Sequence, residues 1–447
     1  RWIGREHWSV MNRQNRGGEG LEAGFKIEPG IYHTQNRLLP HKEYFEQHPE
    51  YFALVQGERS QARHCKLCYS NPEVAREVAH HMVQLLEADP EIALVSLSPT
   101  DGQLWCECDA CRAMDDQDVP RDQSKSRRSL LFYNAVAAEL RKTHPEAHMV
   151  GGADKVSSRP PKDPEVKADP MLAVIITHYE DYCMAHPVND PDCPPNRVYD
   201  NIIRAWQERG CDIYFYEYYW KVNWMDLPWP ITHCQAVDIP YFLSVGVKGV
   251  YTQFNAQNAW MLFPAYYVPA KLLWNVEADV DEMFDEMCDR LFGKAGPAMR
   301  EYYQVMEASM ANCGQHFPGH GTTAGRYVFT DEVLKAMDDA LARAHELAED
   351  ALVKKRLAKI VLTYEYAQRL IAYANLRASI DSKESAQEAH ATAREALKLL
   401  EELVTEVRED RAKWNGIVST SVVSKTGYLG KEVIGLRKRV ERMQAQA

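Results

Sequence analysis

Six short runs rich in Val, Ile and Tyr, separated by stretches with helical periodicity, constrain this chain more than any other feature. They cover residues 30–34, 92–98, 148–153, 172–178, 212–219 and 247–254. None alternates strictly between apolar and polar residues, the pattern of strands buried on both faces. Between them the spacing predicts helices over 72–88, 129–143, 197–209 and 234–245. Such alternation builds a parallel sheet with crossover helices. A TIM-type (β/α)8 barrel is the expected α/β architecture. A doubly wound open sheet is the alternative, but no G-x-G-x-x-G follows any run. The chain begins at Arg1, with no charged-then-apolar leader. With six strands visible, the first strand or two of an eight-stranded barrel are expected upstream of Arg1.

Proline divides the chain. All 23 prolines lie at or before Pro318. Residues 314–325 read as a linker. Beyond them, 331–380 and 384–410 read as long amphipathic helices, with Leu334, Met337 and Leu341, then Leu397, Leu400 and Val404, at helical spacing. A final helix is expected over 431–443. The expected division is a barrel over 1–310, a linker over 311–330 and a C-terminal antiparallel α-helical bundle over 331–447. The tail carries no catalytic constellation, so its expected job is packing or assembly, with the oligomeric state open.

Charge narrows the partners. Lys and Arg number 52 against 64 Asp and Glu, a net charge of −12, which argues against a nucleic-acid or anionic-membrane binder. No apolar run is long enough for a membrane span. In a barrel, chemistry gathers at the carboxyl ends of the strands. Those ends hold His33 and Asn36, then Asp101, then Asp154 and Lys155, then His178, Glu180 and Asp181, then Glu217, Tyr219, Trp220 and Lys221, then Gln253 and Asn255, with Trp260 just beyond. Carboxylates beside Trp and Tyr, without a phosphate loop or dinucleotide fingerprint, point to a sugar hydrolase. One acid protonates the leaving oxygen, and a second group stabilises the oxocarbenium-like centre.

Asp101 and Glu217 are the expected catalytic pair, with their roles open, and the adjacent Glu180 and Asp181 are secondary candidates. Asp101 also reads as a turn residue, and Glu217 as an ion-pair partner for Lys221 or Arg204. His33, Asn36, His178, Tyr219, Trp220, Gln253, Asn255 and Trp260 are the expected sugar-binding residues, through ring stacking and hydroxyl readout. The same positions also suit ordinary loops and core packing. No cofactor is expected for catalysis.

Eleven cysteines lie between residues 65 and 313. Cys65 and Cys68 precede Cys106, Cys108 and Cys111 by about 40 residues. The two clusters suit a structural zinc, disulfides that pin the loop after Asp101, or free thiols.

Several blocks carry a family resemblance: HTQNRLLPHKEYFEQHPEYFALVQGER (33–59), LCYSNPEV (67–74), SPTDGQLWCECDAC (98–111), IYFYEYYW (213–220), GVKGVYTQ (246–253) and AKLLWNVEAD (270–279). In this order they resemble the domain-of-unknown-function 4838 family over about residues 1–305. That family is similar to barrel glycosidases, and part of it forms glycoside hydrolase family 163. The resemblance implies a retaining, substrate-assisted endo-β-N-acetylglucosaminidase acting on complex N-glycans. It also implies an oligosaccharide or glycoprotein-glycan partner and a secreted, periplasmic or cell-surface location in a bacterium. It matches an acid at Asp101 and at Glu217. Thr100 stands where relatives often carry Asn, and Glu180-Asp181 is not general to them. Two alternatives remain. One is a barrel glycosidase acting on uronic-acid or other polysaccharides, with Lys155 or Lys221 facing the sugar carboxylate. The other is a carbohydrate-binding protein without catalysis.

Overall fold

The computed structural model describes residues 26–62, 64–177, 182–219, 224–252, 255–317 and 324–446. Its strands are β1 (Lys26–Glu28), β2 (Leu54–Val55), β3 (Glu58–Arg59), β4 (Ile92–Leu97), β5 (Met149–Ala153), β6 (Leu172–Thr177), β7 (Asp212–Glu217) and β8 (Gly249–Thr252). β2 and β3 form a small antiparallel ribbon. The other six run parallel in the order β1-β4-β5-β6-β7-β8 and curl into a half-barrel. Among the described residues there are thus six barrel strands, not eight. Five lie where the apolar runs put them. The first does not: Gly30 and His33 take positive φ, +120° and +59°, so 30–34 is a loop and the strand is the preceding Lys26–Glu28.

Both faces of the sheet are buried, which is why its strands lack a polar phase. Val95, Leu97, Met149, Leu172, Val174, Ile176, Ile213 and Phe215 face the helices in the main core. Leu94, Val150, Ala173, Ile175 and Tyr216 form a second cluster inside the curl, against Tyr32, Tyr214, Tyr218 and Tyr251. Crossover helices α1 (Pro72–Ala88), α2 (Ser126–Leu140), α3 (Pro194–Gln207) and α4 (Thr232–Ser244) cover the outside. Between β5 and β6 the chain makes only a 3-10 turn, Lys155–Ser157. Helix α1 starts cleanly because the Asn71 side chain accepts the Glu73 N–H and Pro72 opens the first turn.

Seven more helices of ten residues or longer follow among the described residues: α5 (Phe263–Leu272), α6 (Val280–Phe292), α7 (Gly296–Asn312), α8 (Asp331–Leu347), α9 (Ala351–Ser379), α10 (Ala386–Glu409) and α11 (Tyr428–Gln446). The single helix expected over 331–380 is two. Asp350 leaves the helical conformation and its carboxylate accepts the N–H groups of Leu352 and Val353, capping a new helix. α7 packs on α8, α9 on α10 and α10 on α11. These helices share one continuous core with the half-barrel. Val328 and Phe329, within the expected linker, are fully buried in it. The junction is polar at one point. Buried Asp226 accepts from the Asn258 amide, the Ser419 N–H (2.6 Å) and the Ser419 hydroxyl (2.7 Å). No described helix is long and apolar enough to cross a membrane.

α4 is tied to α7 through His233. Its Nδ1 lies 2.7 Å from Glu307 Oε2, and Glu307 also accepts the N–H groups of Thr232 and His233. Burial alone would lower the imidazole pKa, but the Glu307 bond and charge outweigh it, and the net shift is upward from 6.5. Protonated His233 therefore favours the folded state. That contribution is full below the unfolded-state value and is lost as pH rises through the higher folded-state one. In urea unfolding, His233→Gln is expected to cost about 1–3 kcal/mol more at low pH than at high pH. Equal costs in acid and base would contradict this.

Candidate functional site

The carboxyl ends of β1, β4 and β5 meet at the mouth of the curl. The loop after β1 is fastened over the end of β4. Ser96 and Ser98 hydroxyls donate to Ile31 O at 3.0 and 2.7 Å, and the Ser98 N–H donates to Thr34 Oγ1 at 2.7 Å. This holds His33 in the left-handed region, a conformation that a bulky residue keeps only where its surroundings enforce it. His33 Nδ1 accepts the Asp101 N–H at 3.1 Å, so Nε2 carries the ring proton and faces Asp101 Oδ2 at 3.5 Å. Lys155 Nζ stands 3.6 Å from Asp101 Oδ1. Asp101 nevertheless keeps 65% of its side chain exposed, so the carboxylate is oriented and open to a ligand.

Beneath it lies Lys66, a buried cation that sequence reasoning missed. Its ammonium donates to Thr100 O and to Gly102 O. Burial draws its pKa down to about 8, while the charges of Asp101 and Asp154 oppose the fall. Asp101 and Asp154 thus act on the same cation. Asp154 also reaches Tyr32, whose phenol is pushed up by burial first and then by that carboxylate, Tyr218 and Tyr216. Tyr32 meets the Tyr216 ring edge-on at 4.5 Å, and Tyr216 meets Tyr218 at 4.9 Å. Carboxylates, cations and tyrosine faces therefore share one mouth. Asp154 was visible at a strand end; Lys66, flanked by cysteines, gave no signal of its role.

Glu217 lies elsewhere. It is 2% exposed and continues the phase of Ile213 and Phe215, which face the helices. Its charge bears on Tyr182, Tyr219 and Asp238. Asp238, on α4, has its carboxyl pushed well up, by burial first, and accepts from Val188 N at 2.7 Å and Tyr182 OH at 3.4 Å. The two carboxylates singled out from sequence thus stand in different surroundings, Asp101 open at the mouth and Glu217 buried on the helix-facing phase of β7.

The expected sugar-binding residues divide too. His33 sits at the mouth, and Asn36 is half-buried in the short helix Gln35–Leu38 beside it. Tyr219 is buried beside Glu217, with its N–H on Thr252 Oγ1. Asn255 caps a 3-10 turn through the Gln257 N–H. Trp260 donates its backbone N–H to Gly416 O at the junction with the tail. His178, Glu180, Asp181, Trp220, Lys221 and Gln253 lie outside the described residues.

A cysteine knuckle braces the loop that carries Asp101. Cys68 Sγ lies 3.7, 3.8 and 3.9 Å from the sulfurs of Cys106, Cys108 and Cys111, and all four sulfurs fall within 4.8 Å of one another. A disulfide needs sulfurs about 2.05 Å apart, and all eleven cysteines are unbridged. The edge of a tetrahedral zinc–sulfur site is about 3.8 Å for bonds of about 2.3 Å, so the four sulfurs fit that ion. Backbone N–H groups of Leu54 and Ser70 already point at Cys106 and Cys111 sulfur, as suits thiolates. Cys65 is not part of the set; its sulfur is 3.6 Å from Ser60 O.

A family model described as "Domain of unknown function (DUF4838)" matches residues 3–304. No curated protein matches the chain. Among solved structures the chain is similar to a GH138 enzyme targeting pectin rhamnogalacturonan II, at 9% identity and a TM-score of 0.48, covering 84% of this chain and 65% of that one. It is similar to an O-GlcNAc hydrolase mutant of Thermobaculum terrenum, at 11% identity and a TM-score of 0.42, covering 98% and 91%. It is also similar to CpGH84B, at 12% identity and a TM-score of 0.34, covering 92% and 76%. The chain thus spans just under two thirds of the length of the GH138 enzyme.

Proposed function

Because the chain belongs to the family described as Domain of unknown function (DUF4838), we propose that the mouth of its half-barrel is a glycosidase site, cleaving β-linked N-acetylglucosamine in N-glycans by a retaining, substrate-assisted mechanism. The observation that carries this reading is Asp101: an oriented yet exposed carboxylate just past a strand end, between Lys155 and His33, whose ring stands 6.1 Å from that of Tyr32. Asp101 supplies one of the two acidic groups. Asp154 is better placed than Glu217 for the other, since it follows β5 directly at the mouth and its neighbour Lys155 stands 3.6 Å from Asp101. One carboxyl protonates the glycosidic oxygen as the bond breaks. The other orients the 2-acetamido group, whose carbonyl oxygen attacks the anomeric carbon, and water then opens the resulting ring with retention.

A uronic-acid substrate needs an uncommitted cation at the mouth. Lys155 is engaged with Asp101, which, among the described residues, favours the neutral sugar. We further propose that Cys68, Cys106, Cys108 and Cys111 hold a structural zinc, which supplies rigidity to the loop and takes no part in the chemistry.

The test is release of glycan from a complex N-glycoprotein by the full chain, alongside aryl β-N-acetylglucosaminide and aryl uronide substrates. Turnover of the first two is expected. Turnover of the uronide alone, or tight glycan binding with no product, would overturn this function in favour of the polysaccharide or binding-only alternative.

A further inference from the structure

A second set of metal-ligating side chains lies far along the sequence from the cysteine knuckle. Cys183 and His186 follow β6, Cys193 is the residue before α3, and His316 lies just past the end of α7. Their ligand atoms all fall within 4.8 Å of one another. Cys183 Sγ is 3.2 Å from His186 Nδ1, and Cys193 Sγ is 3.3 Å from His316 Nδ1. The two imidazole rings are 4.9 Å apart. In a tetrahedral zinc site with bonds of about 2.3 Å to sulfur and about 2.0 Å to nitrogen, a sulfur–nitrogen edge is about 3.5 Å.

We propose that Cys183, His186, Cys193 and His316 form a second structural zinc site. Two thiolates and two imidazoles are a donor set that zinc prefers, and four protein ligands leave no open position for substrate.

The loop is built to present these ligands. Buried Asn196, on α3, accepts the Cys183 N–H at 2.8 Å and donates to Cys183 O, His186 O and Pro187 O at 2.8–3.0 Å. His233 Nε2 contacts Ala185 O at 3.2 Å, and Asp238 accepts the Val188 N–H at 2.7 Å. Phe317 donates its N–H to Cys183 Sγ at 3.4 Å, the kind of bond that stabilises a metal-bound thiolate. Both cysteines are fully buried, while His316 is exposed and His186 half-buried. The ion would therefore enter from the histidine side. Bound there, it would clamp the loop after β6 to the chain after α7, joining Cys193 to a histidine 123 residues further on. The helical layer alone would otherwise have to hold these segments together. This inference stands independently of the proposed function and of the four-cysteine zinc.

The test is zinc stoichiometry and retention. The full chain, kept reduced and loaded with Zn2+, is challenged with increasing chelator, beside His316→Ala and Cys106→Ser. His316 is exposed, so its removal does not disturb the core. Wild type is expected to hold one more tightly bound zinc than His316→Ala, whose second ion should be released at about 100-fold less chelator. Tetrahedral Co2+ in place of zinc should show a two-thiolate spectrum that His316→Ala alters. If His316→Ala matches wild type in both count and retention, or if peptide mapping finds Cys183 and Cys193 joined in a disulfide, the site does not exist. A single zinc that His316→Ala loses and Cys106→Ser keeps would support this site and remove the four-cysteine one.

Discussion

Asp101→Asn is expected to lower turnover of a β-N-acetylglucosaminide by at least about 100-fold, the scale of losing acid–base assistance. The substitution keeps the size of the side chain and removes its charge. It should not unfold the protein, because the carboxylate is mostly exposed and its contacts with His33 and Lys155 are long, at 3.5 and 3.6 Å. The loss should fall on kcat more than on KM if Asp101 acts in the transition state. Asp154→Asn is expected to show a comparable loss. Glu217→Gln should differ in kind. Glu217 is buried and its charge bears on Tyr182, Tyr219 and Asp238, so its change should move the unfolding midpoint more than the rate of the folded enzyme. Wild-type kcat in Asp101→Asn would remove the mouth as the site of chemistry. A rate collapse in Glu217→Gln without loss of stability would return the second role to Glu217.

The second large effect is expected at the cysteine knuckle. Cys111→Ser should release one zinc and lower stability by at least about 3 kcal/mol, since structural zinc contributes on the order of 10 kcal/mol of binding free energy where it organises a small fold. Activity should fall with it, for a traceable reason. Lys66, two residues from Cys68, donates to the carbonyls on either side of Asp101, and Arg128 donates to Cys106 O at 2.7 Å while pairing with Asp115. When the knuckle loosens, the loop bearing Asp101 loses its floor. Cys65→Ser is the control: its sulfur lies outside the set, so zinc content should stay unchanged. Equal zinc content in Cys111→Ser and wild type would leave the knuckle as plain thiols.

How far these features could be read in advance depended on the range of the interaction behind each. The strands β4 to β8 were legible because burial on both faces demands Val, Ile and Tyr runs. β1 was not, because its three residues are polar or only partly covered, and the apolar run beside it is a loop shaped by Gly30 and His33. Asp101 was legible as an acid just past a strand. The seclusion of Glu217 was not, because Tyr214, Tyr216 and Tyr218 alternate with Ile213, Phe215 and Glu217 and neither phase is marked as the inner one. Four of the five clustered cysteines do converge, since C-x-C-x-x-C brings three of them together locally. Cys193 and His316 are 3.3 Å apart in space and far apart along the chain, with no motif to join them.

The match to the family ends at residue 304, but the core does not. Tyr366 donates to Met225 O at 2.6 Å, and Trp414, Val328 and Phe329 are sealed into the same interior as the sheet. Shuffling that parted the molecule at that border would leave each fragment with raw, water-averse flesh where the other had been. The two pieces therefore stand or fall as one, and substitutions at the exposed rim should be tolerated far better than replacement of the helices behind it.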